Sequence, residues 1–114
     1  MLINMCKSKI HRATVTGTHL EYEGSISICK KLLKKADILV YEQVHVVNVN
    51  NGQRFATYAI EGETDGEIIL NGAAARLAVP GDKVIIIAYG MIDKKEASKF
   101  KPNIVLVNEL NKIT

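Results

Sequence analysis

Tryptophan is absent from this chain, and aromatic residues make up only 5% of its 114 positions. A core built from it must be aliphatic, and the stacked aromatic platforms of single-stranded nucleic-acid binders have little to be made from. Cysteine is limited to Cys6 and Cys29, without the spacing of a zinc site. They read as reduced thiols of a cytoplasmic protein. No apolar run approaches the ~18 residues that cross a bilayer, and Met1 to Lys7 lacks the long apolar stretch of a signal peptide. No membrane is therefore expected. Charge of one sign is also scarce: 15 Lys and Arg against 12 Asp and Glu leave a formal +3. That excess is too small and too dispersed to argue for nucleic acid. Dinucleotide fingerprints, P-loops, internal repeats and linkers are missing as well.

What is present is a 47% hydrophobic composition, which describes one globular domain spanning 1–114. Residues 5–16 are strand-like, with Ile10 and Arg12 on one face and Lys9, His11, Ala13 and Val15 on the other. From Ser27, a plausible N-cap, the period changes: Ile28, Leu32, Leu33 and Ala36 share a helical face, and Lys30, Lys31, Lys34 and Lys35 form its solvated side. Val44 to Val49 is β-branched, and Asn50-Asn51-Gly52 signals a tight hairpin into Gln53–Ile60. On that return strand Arg54, Ala56, Tyr58 and Ile60 alternate against Phe55, Thr57 and Ala59. Arg54 and Tyr58, ~13 Å apart along an ideal strand, can bracket one small ligand.

After the turn Glu61–Gly66, Glu67–Leu70 reads as a short strand, and Asn71 to Arg76 as either a packed turn or a short helical turn. The run Val84-Ile85-Ile86-Ile87-Ala88 suggests burial on both faces. Asp93–Lys99 allows one helical turn, and Ile104–Val107 a last strand. Six or so short strands with one or two short helices make a mainly β, compact barrel.

Gly24-Ser25 stands where extended chain gives way to the helical pattern. Glycine tolerates backbone conformations closed to other residues. If the bond after it were strained, the Ser25 hydroxyl could attack the Gly24 carbonyl and move the acyl group from nitrogen to oxygen. As a dipeptide alone, it is equally a common turn.

Four motifs raise that reading. Lys9-Ile10-His11-Arg12, Tyr22-Glu23-Gly24-Ser25, the run Asn51 to Tyr58 (NGQRFATY) and Asn71-Gly72-Ala73-Ala74-Ala75 stand in the order and near the spacings of the aspartate 1-decarboxylase family. The chain resembles that family over its whole length.

The resemblance implies a closed double-psi β-barrel, a homotetramer, and an inactive precursor that cuts itself between Gly24 and Ser25. A β chain of 1–24 and an α chain of 25–114 would result, the latter headed by a pyruvoyl group made from Ser25. That covalent ketone would form a Schiff base with L-aspartate and act as the electron sink, with no metal and no PLP. The product is β-alanine, for pantothenate synthesis, and a maturation factor is a possible partner. By the same resemblance Tyr58 is the proton donor. Arg54, Lys9, Asn71, Ala73 and Ala74 bind substrate, and Thr57, His11 and Tyr22 serve processing beside Gly24 and Ser25. Strict alternation sets Thr57 opposite Arg54 and Tyr58, so a bulge or a neighbouring subunit is needed to unite them. Two other readings carry different marks: a non-catalytic barrel binding polyanions through Lys30–Lys35, and a hydrolase using Ser25 as an N-terminal nucleophile.

Overall fold

The computed structural model describes residues 1–114. Eight strands form one sheet: β1 (Leu2–Thr14), β2 (Gly17–His19), β3 (Ser25–Cys29), β4 (Gln43–Asn48), β5 (Arg54–Gly62), β6 (Ile68–Asn71), β7 (Lys83–Asp93) and β8 (Asn103–Leu106). Helices are short: α1 (Lys30–Ala36), α2 (Lys94–Ala97) and a 3-10 turn at Gly72–Leu77. The fold is mainly β, as expected.

Strand order is β2-β6-β3-β5-β4-β7-β1-β8, so hydrogen bonding leaves β2 and β8 as edges. Between β1 and β2 the chain is tied inward. Thr16 donates from its amide to Ile68 O at 2.8 Å, and its Oγ1 accepts from Ile68 N at 2.9 Å. Asn111, buried, accepts from Thr14 N at 2.7 Å and donates through Nδ2 to Thr14 O and Gly66 O, both at 2.8 Å.

Inward residues follow the two-residue period and meet in one core of 21 buried side chains, including Ile10, Ile26, Ile28, Val44, Val46, Ile68, Leu70, Val84 and Ile86. Each large aliphatic side chain so buried contributes about 1.5–3 kcal/mol. Two expectations shift. Arg12 takes φ 60° where the β1–β7 register slips between Ile10 and Ala13. This bulge brings Ala13 and Val15 onto the buried face with Ile10, not with Lys9 and His11. In β7, Val84, Ile86 and Ala88 are buried while Ile85 and Ile87 are only half-buried, because just one face of that strand meets the core.

The helix begins later than Ser27. Ile26 and Ile28 are β-branched, and β3 has partners on both sides, β5 in parallel and β6 antiparallel. Those contacts extend the strand to Cys29, which stands at the N-cap of α1 with no side-chain bond. The hairpin at Asn50-Asn51-Gly52 forms as a five-residue loop, 49–53, rather than a two-residue turn. Asn48 Oδ1 accepts from Asn50 N and Asn51 N, and Gly52 takes φ +76°.

Candidate active site

β5 changes partner midway. Its residues Arg54 to Tyr58 pair with β4, ending at Gln43↔Tyr58, and Ala59 begins the parallel pairing with β3 at Ile26↔Ala59. Tyr58 therefore sits at the switch, beside the residue that precedes Ile26. That residue is Ser25.

Ser25 is the first residue of β3 and only 3% exposed. Its Oγ accepts a 3.0 Å hydrogen bond from Asn71 Nδ2 and donates to Glu23 O at 3.4 Å. The same Asn71 amide donates to Ser27 Oγ at 3.0 Å, since Ser27 lies two residues on, along the same strand face. Asn71 is itself 1% exposed, and its Oδ1 is buried with no hydrogen-bond partner. Antiparallel pairing of Ser25 with Asn71 fixes this contact through the backbone.

Asn71 ends β6, and Gly72 starts the 3-10 turn with φ +67°. A Cβ on Gly72 would stand 2.7 Å from both Cα and N of Gly24 and 2.8 Å from Tyr22 O. Gly24 is different. It is exposed, its φ lies outside the left-handed region, and a Cβ there would meet nothing within 4 Å. The conformational latitude sought at Gly24 is used at Gly72.

A cavity of about 460 Å³ opens over Ser25, lined also by Tyr22, Tyr41, Tyr58, Ile60, Asn71, Glu21 and Glu23. Tyr22 stacks on His19 with ring centroids 5.0 Å apart, and Tyr41 leans on Tyr58 at 6.1 Å. Tyr41 holds φ +75°, a conformation a bulky side chain rarely adopts, while its N–H donates to Ala59 O at 2.7 Å.

Other sequence-derived residues lie apart from this cavity within one chain. Arg54 is exposed at the start of β5, opposite Val47. Thr57 points to the side of Phe55 and Ala59, and the β4–β5 register from Tyr58 to Arg54 is unbroken, so no bulge turns it toward Tyr58. Lys9 is half-buried in β1 between Ile87 and Ile104. His11 lines a second cavity of about 320 Å³ with Arg12, Lys83 and Glu109. Ala73 is exposed and Ala74 buried in the 3-10 turn that follows Asn71.

Charge sharpens the division. The charged groups lining the Ser25 cavity are Glu21 and Glu23, with no cation from the same chain. The displaced carboxylates stand elsewhere: Asp65 is held below its ordinary value by hydrogen bonds from Lys112 and then Lys31, and Glu109 by one from Lys83.

Comparison with known proteins gives the family. The family model described as aspartate decarboxylase matches residues 1–114. The chain belongs to the aspartate decarboxylase family. It is 57% identical over 111 residues to an aspartate 1-decarboxylase of Dehalococcoides mccartyi, covering 96% of this chain and 90% of the relative. The identity is also 57% to the aspartate 1-decarboxylases of Acetivibrio thermocellus (99% of this chain, 90% of the relative) and Campylobacter jejuni (100% and 90%).

Residues that the structure gathers around Ser25 and that the sequence did not single out for a site are Gly72, Ser27 and Tyr41. The Asn71-Gly72 pair carried a signal for the first, since Asn-Gly marks a positive φ. Ser27 follows from Ser25 by a period of two once the segment is read as a strand. Nothing in the sequence marks Tyr41.

Proposed function

We propose that this protein is made as a precursor, cuts itself between Gly24 and Ser25, and then converts L-aspartate to β-alanine and carbon dioxide with a pyruvoyl group formed at residue 25. The observation that carries the reading is the setting of Ser25. A buried serine hydroxyl, anchored by Asn71, follows an exposed glycine and faces a cavity shared with two tyrosines besides Tyr22, in a chain of this family.

The cut proceeds through the chain's own atoms. Ser25 Oγ bonds to the Gly24 carbonyl carbon, its proton passes to the Ser25 nitrogen, and the Gly24–Ser25 C–N bond breaks. An ester and a free amine result. Removal of the Ser25 Cα proton then expels the Gly24 carboxylate from Cβ. The dehydroalanine left at residue 25 tautomerises and takes up water, losing ammonia to become pyruvoyl. Asn71 Nδ2 orients the attacking oxygen, and its unpaired Oδ1 offers an acceptor to whatever polar group stands there later. These residues fit a small group grown from position 25.

A pyruvoyl carbonyl at residue 25, held beside Asn71, would supply the electrophile for the substrate amine and the sink for the electron pair left by carbon dioxide. Tyr58, at the β5 switch, lines the same cavity, and its phenol serves as proton donor to the substrate Cα. Asn71 and the Ala73-Ala74 turn line the bound aspartate.

Aspartate carries two carboxylates, and Glu21 and Glu23 alone would repel it. Arg54, suited to a bidentate carboxylate grip, and Lys9 therefore come from a neighbouring copy, as do Thr57 for the oxyanion and His11. A homotetramer with sites between subunits, each a closed double-psi barrel, belongs to the same proposal. Of these, closure of the barrel alone has support within the chain: Thr16 bonds to Ile68 of β6, and Asn111 ties Thr14 at the end of β1 to Gly66, where the ladder itself stops.

Intact-mass analysis after incubation, beside Ser25→Ala, tests the reading. The expected result is two pieces, 1–24 and 25–114, the second blocked to Edman degradation, with activity lost when borohydride is added with aspartate. Aspartate turnover by an uncut chain would overturn it, and a readable N-terminal serine would turn it into a nucleophile hydrolase.

A further inference from the structure

We propose that Gly72 is a positioning residue for the self-cleavage: its missing side chain is the seat on which the scissile segment Tyr22–Gly24 rests. The inference depends on the cleavage reading above and deepens it.

Three observations carry it. A Cβ at Gly72 would collide with Gly24 Cα and N at 2.7 Å and with Tyr22 O at 2.8 Å, all backbone atoms that cannot swing aside as a side-chain tip would. The contact therefore locates the residue whose carbonyl is attacked. On the other side of the bond, Asn71, the immediate neighbour of Gly72, holds Ser25 Oγ at 3.0 Å. One dipeptide thus grips both reactants, electrophile by close backbone approach and nucleophile by hydrogen bond. Thirdly, Gly24 has open space where its own Cβ would be, so no neighbour packs against that side of the residue.

Displacing an electrophile by even ~1 Å from its attacking atom costs about 100-fold in rate. A methyl group at residue 72 must push Gly24 away, because a real Cβ essentially never makes contacts of that length. Gly81 supplies the control. It also takes a positive φ, +97°, but a Cβ there meets nothing within 4 Å, so Gly81→Ala adds backbone strain without touching the scissile segment.

The experiment follows cleavage of the full chain by intact mass, together with thermal unfolding, for wild type, Gly72→Ala, Gly72→Asn and Gly81→Ala. Asparagine tolerates positive φ but carries a Cβ. Both Gly72 variants should cleave at least ~10-fold more slowly, and hydroxylamine should release less ester-derived fragment from them, placing the loss at the acyl shift. Gly81→Ala should unfold at lower temperature yet cleave at the wild-type rate. Wild-type cleavage in Gly72→Ala, or its recovery in Gly72→Asn, overturns the proposal, the latter by assigning the effect to φ alone. If neither Gly72 variant folds, a glycine inserted between Glu23 and Gly24 loosens the same seat while keeping the Gly-Ser bond. It must also cleave slowly, and cleavage at the wild-type rate refutes the idea. Absence of cleavage in wild type would instead refute the function proposed above.

Discussion

The bond network around Asn71 can be measured apart from the reaction it serves. In a Ser25→Ala background, where no cut can occur, the Asn71 amide keeps its 3.0 Å bond to Ser27 Oγ. Both residues are at least nine-tenths buried. Ser27→Ala then removes one buried bond and leaves the Asn71 amide without either hydroxyl, for about 2–3 kcal/mol. Asn71→Ala removes that bond and leaves the Ser27 hydroxyl unpaired, for a similar total of about 2–3 kcal/mol. The double variant, which leaves neither group unpaired, should cost less than the sum by about 2 kcal/mol or more. Urea unfolding of the four chains reads all three terms from the midpoints, provided the slopes agree. With Ser25 restored, Asn71→Ala should slow cleavage about tenfold, the rate equivalent of one bond of ~1.4 kcal/mol to the attacking oxygen. Additive losses in the cycle would show that Asn71 and Ser27 do not interact energetically. Unchanged cleavage in Asn71→Ala would show that the amide does not orient Ser25.

Three further outcomes follow from other contacts. Tyr58→Phe should mature normally and bind aspartate, yet lower kcat by about 100-fold or more as the proton donor is lost; equal kcat would remove Tyr58 from that role. Asn111→Gly should cost about 3 kcal/mol for its three bonds to the Thr14 and Gly66 backbones, and Asn111→Ala about 1 kcal/mol more because Asn111 sits at φ 59°, which equal urea midpoints for the two variants would refute. Asp65 has its folded pKa below the ordinary 3.8, so its bonds to Lys112 and Lys31 stabilise the fold above that value and fail as pH drops through the lower folded one. Asp65→Asn should therefore reduce stability at neutral pH, with the deficit shrinking as pH falls below 3.8 and through the lowered folded value, and parallel acid-unfolding profiles for the two would contradict it.

The β class and most strands were legible in the sequence because inward side chains alternate, as in Val44, Val46 and Asn48. The misreadings have local physical causes. A single positive φ at Arg12 reverses the alternation after it, and no residue preference announces it, since arginine is not a left-handed former. Ser27 looks like a cap, but Ile26 and Ile28 are claimed by strands lying 30 and more residues away, which a local window does not contain. The site divides in the same way. Ser25 and Asn71 meet through strand pairing and Tyr58 through the β5 switch, both intrachain facts. Arg54, Lys9, Thr57 and His11 do not line the Ser25 cavity; their union at one centre belongs to the proposal of sites between copies, which a periodicity cannot encode.

The position of the proposed cut explains how a chain can lose a peptide bond and keep its fold. Ser25 opens β3, whose five residues are all buried and of which Ile26, Ser27 and Ile28 are paired on both sides. Gly24 before it is exposed. Downstream structure does not lean on the bond. Upstream, β1 is paired along almost its whole length with β7, from Leu2↔Asp93 to Thr14↔Lys83, and again with β8. β2 is paired with β6 up to His19↔Asn71. The piece 1–24 is therefore sewn into the sheet at every strand it contributes, and the only segment freed is the short stretch after His19. Hydrogen exchange should show this stretch alone gaining mobility once the bond is cut, while Ile10 and Ala13 in β1 stay protected at the level of the global unfolding. Loss of protection across β1 on cleavage would mean that the covalent link, rather than the sheet, holds the N-terminal piece in place.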